Sequence, residues 1–211
     1  TAFGVVIDAS ASVPELSNTG TMRAQLFGET GDAVVITDNS NTLAVINNTG
    51  TISAEIYATD SDTTDNIPPP AITGSAIAID VSASTIDVTI NQTPDVVFTD
   101  EDAVDQDALL RPPIIIQGDI LLGSGNDTIN LLAGEIRGDI AFGVGTDAFF
   151  IDNGTIYSGS ITDSDGALTI DVQDGILNHT GGTLNFTSAY FAADGVLGVT
   201  ISDIPLNSTF L

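Results

Sequence analysis

The sequence predicts an all-β fold, namely a right-handed parallel β-solenoid (β-helix) with coils of about 20 residues. Three observations support this prediction: a repeat with a period of twenty residues, short apolar runs rich in β-branched side chains, and glycines that recur too often for long helices. The 211 residues are expected to form a single solenoid, 1–211, with loop excursions at 60–70 and 99–113.

The twenty-residue repeat lies in the second half of the chain. The segment GDILLGSGND (118–127) aligns with GDIAFGVGTD (138–147) at an offset of twenty, and GSI (159–161) continues the series one residue later. In a parallel coil, residues one period apart lie above each other at the strand spacing of about 4.8 Å. The repeat therefore predicts an internal aliphatic ladder of Ile120, Ile140 and Ile161.

Glycines at the start of each repeat predict the corners of the coils. Gly118, Gly138 and Gly159 occupy equivalent places, where we expect that neither a side chain nor a negative φ fits. A second phrase, Asn followed by Gly-Thr and an apolar residue, recurs at 18–22, 48–52 and 153–156. The two halves of the chain thus use the same turn sequence.

Between these turns, short apolar runs predict strands of about three to six residues, including 33–36, 76–79, 86–90 and 167–172. Because the chain has 21 glycines and no capped helical pattern, helix is expected to be minor. The excursion at 60–70 ends in three prolines, and the one at 99–113 is acidic and ends in two. Proline donates no ladder hydrogen bond, so both segments are expected to leave the solenoid.

The charge balance excludes one large class of partners. The chain has 29 acidic residues, three arginines and no lysine, which gives a formal net charge of -26. Such a chain repels nucleic acid, so no nucleic-acid partner is expected. The absence of cysteine excludes disulfides and thiolate metal sites. No apolar run approaches the roughly 20 residues that a membrane-spanning helix needs.

Stacked aspartates are the candidate metal ligands. The repeat places Asp119 over Asp139 and Asp127 over Asp147 on the outside of the coils, where like charges one rung apart repel by roughly 1 kcal/mol in water. Solvent, turn amides or a cation must relieve this repulsion. The phrases at 123–127 and 143–147 resemble half of the calcium-binding nonapeptide, so calcium is one hypothesis for these four aspartates. The alternative is a structural turn in which Asp accepts backbone N–H groups.

A second group of carboxylates lies at 99–107, where five acidic residues fall close together. Hard cations use such oxygen ligands, and the alternative is a solvated acidic loop. The single histidine, His179, lies in the phrase NHTGG and is expected to be a turn residue. No nucleophile elbow of the G-x-S-x-G type occurs, so the chain is not expected to be an enzyme or to need a cofactor.

The phrases NTGTISA (48–54), AIDVSA (78–83), GDILLGSGNDTI (118–129) and SDGALTI (164–170) resemble passenger domains of bacterial autotransporters. The resemblance covers most of the chain and concerns a style of repeat. It implies an extracellular protein on the bacterial cell surface. It also implies export by a C-terminal β-barrel that this chain lacks, so that membrane contact is expected only through that barrel.

These observations predict a non-enzymatic surface solenoid with a structural or adhesive role. Its expected partners are other copies of itself, which uncapped ends would favour, or glycans and other components of cell surfaces. Two alternatives remain. A polysaccharide-active β-helix enzyme would need a groove of carboxylates with a basic partner, and a calcium-dependent surface-layer component would need the aspartates to bind metal.

Overall fold

The structure is a computed structural model that describes residues 1–60, 70–95 and 113–199. The described residues form eighteen β-strands and no helix, as the glycine content predicts. None of the described segments is a helix long and apolar enough to cross a membrane. The predicted excursions at 60–70 and 99–113 lie, apart from their end residues, outside the described residues.

The shortest strands, of two or three residues, lie between residues 115 and 162, and the longest lie at the end of the described region. In chain order they are β1 (Ala2–Ile7), β2 (Glu15–Asn18), β3 (Thr21–Phe27), β4 (Ala33–Asp38), β5 (Val45–Asn48), β6 (Thr51–Tyr57), β7 (Ala76–Asp80), β8 (Thr89–Gln92), β9 (Ile115–Gln117), β10 (Asp119–Leu121), β11 (Thr128–Leu131), β12 (Glu135–Arg137), β13 (Ile140–Ala141), β14 (Ala148–Ile151), β15 (Thr155–Gly159), β16 (Ile161–Thr162), β17 (Thr169–His179) and β18 (Ser188–Val199).

The strands pair in parallel in two sheets. The first sheet has the order β1-β4-β7-β10-β13-β16, and the second has the order β2-β5-β8-β11-β14-β17-β15-β12-β9-β6-β3, with β18 also on β17. Every third strand is a neighbour, so three consecutive strands form one rung of a stack. Because β17 pairs with both β14 and β15, the second sheet folds back on itself and nearly encloses the interior. This arrangement is consistent with a solenoid-like all-β fold.

The registers confirm the predicted isoleucine ladder. Ile120 pairs with Ile140, and Ile140 pairs with Ile161, at offsets of 20 and 21 residues. Earlier in the chain the offsets are larger, because Thr21 pairs with Thr51 and Val45 pairs with Thr89. The twenty-residue spacing therefore describes the later rungs, while the earlier rungs are stacked in parallel at longer spacings.

Three ladders of apolar side chains fill the interior, one from each strand of the rung. Every member has at most 1% of its surface exposed. The ladders are Ile36-Ile79-Ile120-Ile140-Ile161, Ile46-Ile90-Ile129-Phe149-Ile170 and Ile52-Ile116-Ile136-Tyr157-Leu177. Each rung thus covers the apolar side chains of the one before it, which is why a single rung would not be stable alone.

The glycine corners are crowded, as predicted. A Cβ on Gly138 would lie 2.3 Å from the Gly118 carbonyl oxygen, and one on Gly159 would lie 1.9 Å from the Gly138 carbonyl oxygen. Gly118 and Gly138 have φ of 117° and 144°, in the region that favours glycine. Gly159 has no positive φ, so there the prediction was wrong and space alone requires glycine.

Two strand predictions differ from the structure. The apolar run 86–90 forms a strand only from Thr89 onward, because the Ser84 hydroxyl accepts the Ile86 N–H and holds the preceding residues in a turn. The last two strands, β17 and β18, have 11 and 12 residues, where three to six were expected. The greater length arises because β17 runs without interruption from one arm of the second sheet to the other.

Candidate functional site

The first pair of predicted metal ligands, Asp119 and Asp139, lies at the corner that enters the first sheet. The Asp119 carboxylate accepts the Asp139 N–H at 3.0 Å, and the Asp139 carboxylate accepts the Ser160 N–H at 2.8 Å. Partial burial and the charge of Asp139 raise the pKa of Asp119, although the hydrogen bond from the Asp139 N–H opposes this shift. The two side chains therefore link successive rungs through the backbone.

The second pair, Asp127 and Asp147, is buried, with 0% and 1% of its surface exposed. The expectation that these aspartates stack on the outside is therefore wrong. Each residue ends the turn that leads from the first sheet to the second, and its Oδ1 points at the preceding rung. Oδ1 of Asp127 accepts the Val88 N–H at 2.8 Å, and Oδ1 of Asp147 accepts the Asp127 N–H at 2.7 Å.

Three buried aspartates each have a second carboxylate oxygen without a hydrogen-bond partner. This holds for Oδ2 of Asp127, Asp147 and Asp163, a set that we call the aspartate corner. Burial, helped by the charges of Asp127, Asp163 and Asp165, raises the pKa of Asp147 to about 6, although the hydrogen bond from the Asp127 N–H opposes this shift. Burial likewise raises the pKa of Asp127. Asp147 can thus hold a proton at mildly acidic pH.

The described residues give a metal ion few ligands at these positions. Among them, no group of three or more His, Cys, Asp or Glu side chains is arranged to hold one. Since backbone N–H groups occupy one oxygen of each predicted ligand, the contacts favour the structural-turn interpretation. Calcium at Asp119, Asp127, Asp139 and Asp147 stays a prediction. The acidic segment 99–107 lies outside the described residues.

A polar cavity of about 440 Å³ opens beside the aspartate corner, lined by Asp163, Ser164, Asp165, Gly166, Leu184, Asn185 and Phe186. The Asp165 carboxylate accepts the Gly145 N–H at 3.1 Å and the Ala167 N–H at 3.0 Å, and these bonds lower its pKa. The Asp163 carboxylate accepts the Asp165 N–H at 3.3 Å. The carboxylates of this cavity therefore hold the turn together.

The remaining residues considered for catalysis lie in packed or paired positions. His179 ends β17, so the turn assignment was wrong; the residue is 8% exposed and its Nδ1 accepts the Ile161 N–H at 3.3 Å. Arg137 forms an ion pair with Glu135 on the same strand, and Arg23 lies 4.0 Å from Glu55. Arg111 lies outside the described residues.

The ends of the stack hold a feature that the repeat did not reveal. Among the described residues, β1–β3 pair only with β4–β6, and β18 pairs only with β17, so each end presents a strand edge. Exposed apolar side chains accompany these edges: Phe3, Val6 and Phe27 at one end, and Tyr190, Val196, Leu197 and Val199 at the other. The apolar run 189–191 was the available sequence signal.

The comparisons with known proteins identify no relative. No protein-family model matches the chain, and no curated protein or solved structure matches it.

Proposed function

We propose that this chain is a non-enzymatic structural or adhesive segment of a bacterial cell surface. In this proposal it is a right-handed parallel β-solenoid whose repeating coil has about 20 residues. In this proposal, copies associate end to end through their terminal rungs. The resemblance to autotransporter passenger domains supports the location, and the parallel stacking of the rungs supports the architecture.

The observation that carries the proposal is the pair of strand edges at the two ends. A strand edge presents unpaired N–H and C=O groups, which pair readily with another chain unless charge, proline or a covering segment blocks them. The twelve-residue β18 is the longest of the described strands, and its exposed Leu197 and Val199, which pair in register with the buried Leu177 and His179, would be covered by a further rung. A second copy supplies such a rung in parallel orientation through β1–β3.

Charge sets the conditions for this association. Each copy has a formal net charge of -26, so two copies repel each other at low ionic strength. Salt at 0.5 M shortens the screening length to about 4 Å, well below the roughly 10 Å at 0.1 M. End-to-end association should therefore strengthen as salt rises, which is opposite to the behaviour of an assembly held by ion pairs.

The test is sedimentation velocity combined with electron microscopy at 50 mM and 500 mM salt. We expect concentration-dependent rods or filaments that grow at the higher salt. A protein that stays monomeric at every concentration, and appears only as single short particles, would contradict end-to-end association.

Two neighbouring proline variants provide a matched pair, Val196→Pro and Leu197→Pro in β18. Successive residues of a parallel strand direct their N–H groups to opposite sides, so one variant removes an N–H that faces β17 and the other removes one that faces outward. The outward variant should block assembly and leave the melting temperature almost unchanged. The inward variant should lower the melting temperature. Equal assembly by both folded variants would exclude β18 as the contact.

A further inference from the structure

The side of the stack carries a step where a long strand lies beside a short one. Strands β3 and β6 pair along their whole length to Phe27 and Tyr57, whereas β9 ends at Gln117, which pairs with Ser53. Gly118 then turns the chain away with φ of 117°, and a Cβ there would lie 3.1 Å from the Cβ of Ala54. The last four residues of β6 therefore extend past the end of β9.

A shallow cavity of about 320 Å³, open to solvent, lies at this step; we call it the Tyr57 shelf, and it is lined by Ala54, Glu55, Ile56, Tyr57, Ala76 and Gln117. The Tyr57 ring is 41% exposed and stacks on the Phe27 ring, with centroids 5.2 Å apart and planes inclined by 19°. Phe27 thus supports one face of the Tyr57 ring, while the ring itself forms part of the cavity wall.

Polar groups fix this aromatic wall in place. The Tyr57 hydroxyl donates to Oε2 of Glu55, which also accepts the Gln25 side-chain amide at 2.9 Å. Oε1 of Glu55 accepts the Ser53 hydroxyl at 3.0 Å. These hydrogen bonds, led by that of Tyr57, lower the pKa of Glu55, so its carboxylate is ionised at neutral pH. Gln117, which carries a side-chain amide, also lines the cavity.

We infer that the Tyr57 shelf is a binding site for a neutral sugar ring of a glycan. The apolar C–H face of a pyranose packs against an aromatic ring, and its hydroxyls need a few fixed donors and acceptors beside that ring. Tyr57 supplies the ring, Glu55 supplies acceptor oxygens, and Gln117 supplies an amide. The ring needs no reorganisation to bind, because Phe27 and Glu55 already hold it.

Two observations decide between occupants of the shelf. The net charge of -26 and the ionised Glu55 disfavour acidic sugars, so neutral glycans are the matching class. An extended peptide would need a longer strand edge, because only the four residues of β6 after Ser53 continue past β9. The inference does not depend on end-to-end association, since the shelf lies on the side of the stack.

The test is isothermal titration calorimetry with six neutral probes: cellopentaose, maltopentaose, mannopentaose, xylopentaose, chitopentaose and a β-galactan pentamer. At least one should bind saturably, and pentagalacturonate should bind at least about tenfold more weakly. Tyr57→Ala should weaken the bound probe at least about tenfold, because the stacking face is lost. Tyr57→Phe keeps the ring and should weaken binding less than Tyr57→Ala does.

The matched control is Phe186→Ala, which removes an aromatic ring of similar exposure between β17 and β18, away from the shelf, and should leave sugar binding unchanged. Circular dichroism melts establish that each variant is folded. If Tyr57→Ala does not fold, Glu55→Gln replaces it as the variant that tests the site. Absence of saturable binding by all six probes would overturn the inference. Unchanged sugar affinity in folded Tyr57→Ala would also overturn it. So would binding of a Thr-Val hexapeptide with blocked termini when none of the sugars binds.

Discussion

In both halves of the molecule, the turn between the two sheets buries an aspartate, but the two carboxylates differ in their hydrogen-bond partners. After β4, residues 39–44 form this turn and Asp38 precedes it; before β14, residues 142–147 form it and Asp147 ends it. Only 3% of Asp38 and 1% of Asp147 is exposed. The turns have the same length and the carboxylates similar burial, so the difference between them lies in their hydrogen-bond partners.

Asp38 is satisfied within its own turn. Its Oδ1 accepts the Ser40 N–H at 2.8 Å and the Ser40 hydroxyl at 2.6 Å, and its Oδ2 accepts the Leu43 N–H at 3.2 Å. Burial alone would raise the pKa of Asp38, but these hydrogen bonds outweigh it and the pKa is lowered. Asp38 needs no other rung to be stable as a carboxylate.

Asp147 depends on the neighbouring rung instead. The single hydrogen bond to its carboxylate comes from the Asp127 N–H, its Oδ2 has no partner, and the charge of Asp127 lies close by. Stacking of identical residues from successive repeats thus places one carboxylate, which can only accept hydrogen bonds, beside another. The comparison teaches that a carboxylate suits a turn that closes on itself better than a ladder of identical side chains.

Amides are better suited to such ladders, because each supplies both a donor and an acceptor. In the first half, the buried Asn18 side chain donates to Asn48 at 2.8 Å, and Asn48 donates to Gln92 at 3.2 Å. Gln92 ends the chain of bonds by donating to the Ala133 and Glu135 carbonyls, both at 2.9 Å. Like therefore stacks on like without an unpaired buried group.

The largest expected effect comes from placing a carboxylate in this amide ladder with Asn48→Asp. The Asn48 amide nitrogen donates to the Gly50 carbonyl and to Oε1 of Gln92, so a carboxylate oxygen would face two acceptors. An uncompensated buried charge costs about 3–5 kcal/mol. Urea unfolding followed by circular dichroism at pH 7 measures this loss.

The control for that substitution is Asn126→Asp, in the turn before β11. The Asn126 side chain is exposed and its Oδ1 accepts the Thr146 N–H, which a carboxylate oxygen also accepts, so this variant should lose less than about 1 kcal/mol. Equal unfolding free energies for the two variants would show that the amide ladder tolerates charge, and the contrast between the halves would then be wrong.

The next largest effect is a gain in stability from Asp147→Asn. Burial raises the pKa of Asp147 from 3.8 to about 6, so the folded state binds a proton that the unfolded state releases between those values. Stability therefore falls as pH rises through this window, by up to about 3 kcal/mol at pH 8. Asparagine keeps an oxygen for the Asp127 N–H and removes the charge.

Melting temperatures of Asp147→Asn and the parent protein test this at pH 4 and pH 8. The variant should melt higher at pH 8 and almost equally at pH 4. As a control, Asp152→Asn removes a charge that is partly exposed before β15 and should change neither melt appreciably. A lower melting temperature for Asp147→Asn at pH 8 would mean that the charge is compensated.

The sequence predicts the interior of the later rungs well because the repeat period determines which residues stack on each other. Ile120, Ile140 and Ile161 share one phase of the repeat, so their pairing follows from the alignment alone. Periodicity does not determine which way a turn residue points, which is why Asp127 and Asp147 were expected outside. Their direction depends on backbone N–H groups of another rung, such as that of Val88, 39 residues earlier.

The Tyr57 shelf was not predictable for a related reason. It arises because β6 is longer than β9, and Ile115 pairs with Thr51, which lies 64 residues earlier in the sequence. The sequence around Tyr57 contains no pattern that indicates the length of β9. The amide ladder was closer to the sequence, since the recurring phrases at 18–22 and 48–52 begin with its first two members.

The smallest of the three stability effects, opposite in sign to that of Asp147→Asn, is expected for Asp38→Asn. The new amide keeps an oxygen for Ser40 but turns an N–H group toward the Leu43 N–H, which is left without an acceptor in a buried turn. An unsatisfied buried donor costs about 1–3 kcal/mol. Because the pKa of Asp38 is lowered, the parent's advantage is full above about pH 4 and declines as pH falls through the lowered value. Urea unfolding at pH 7 and pH 3 measures both features, with Asp147→Asn as the paired variant. The two substitutions are chemically identical, so a shift in the same direction at pH 7 would show that hydrogen-bond partners do not distinguish these turns.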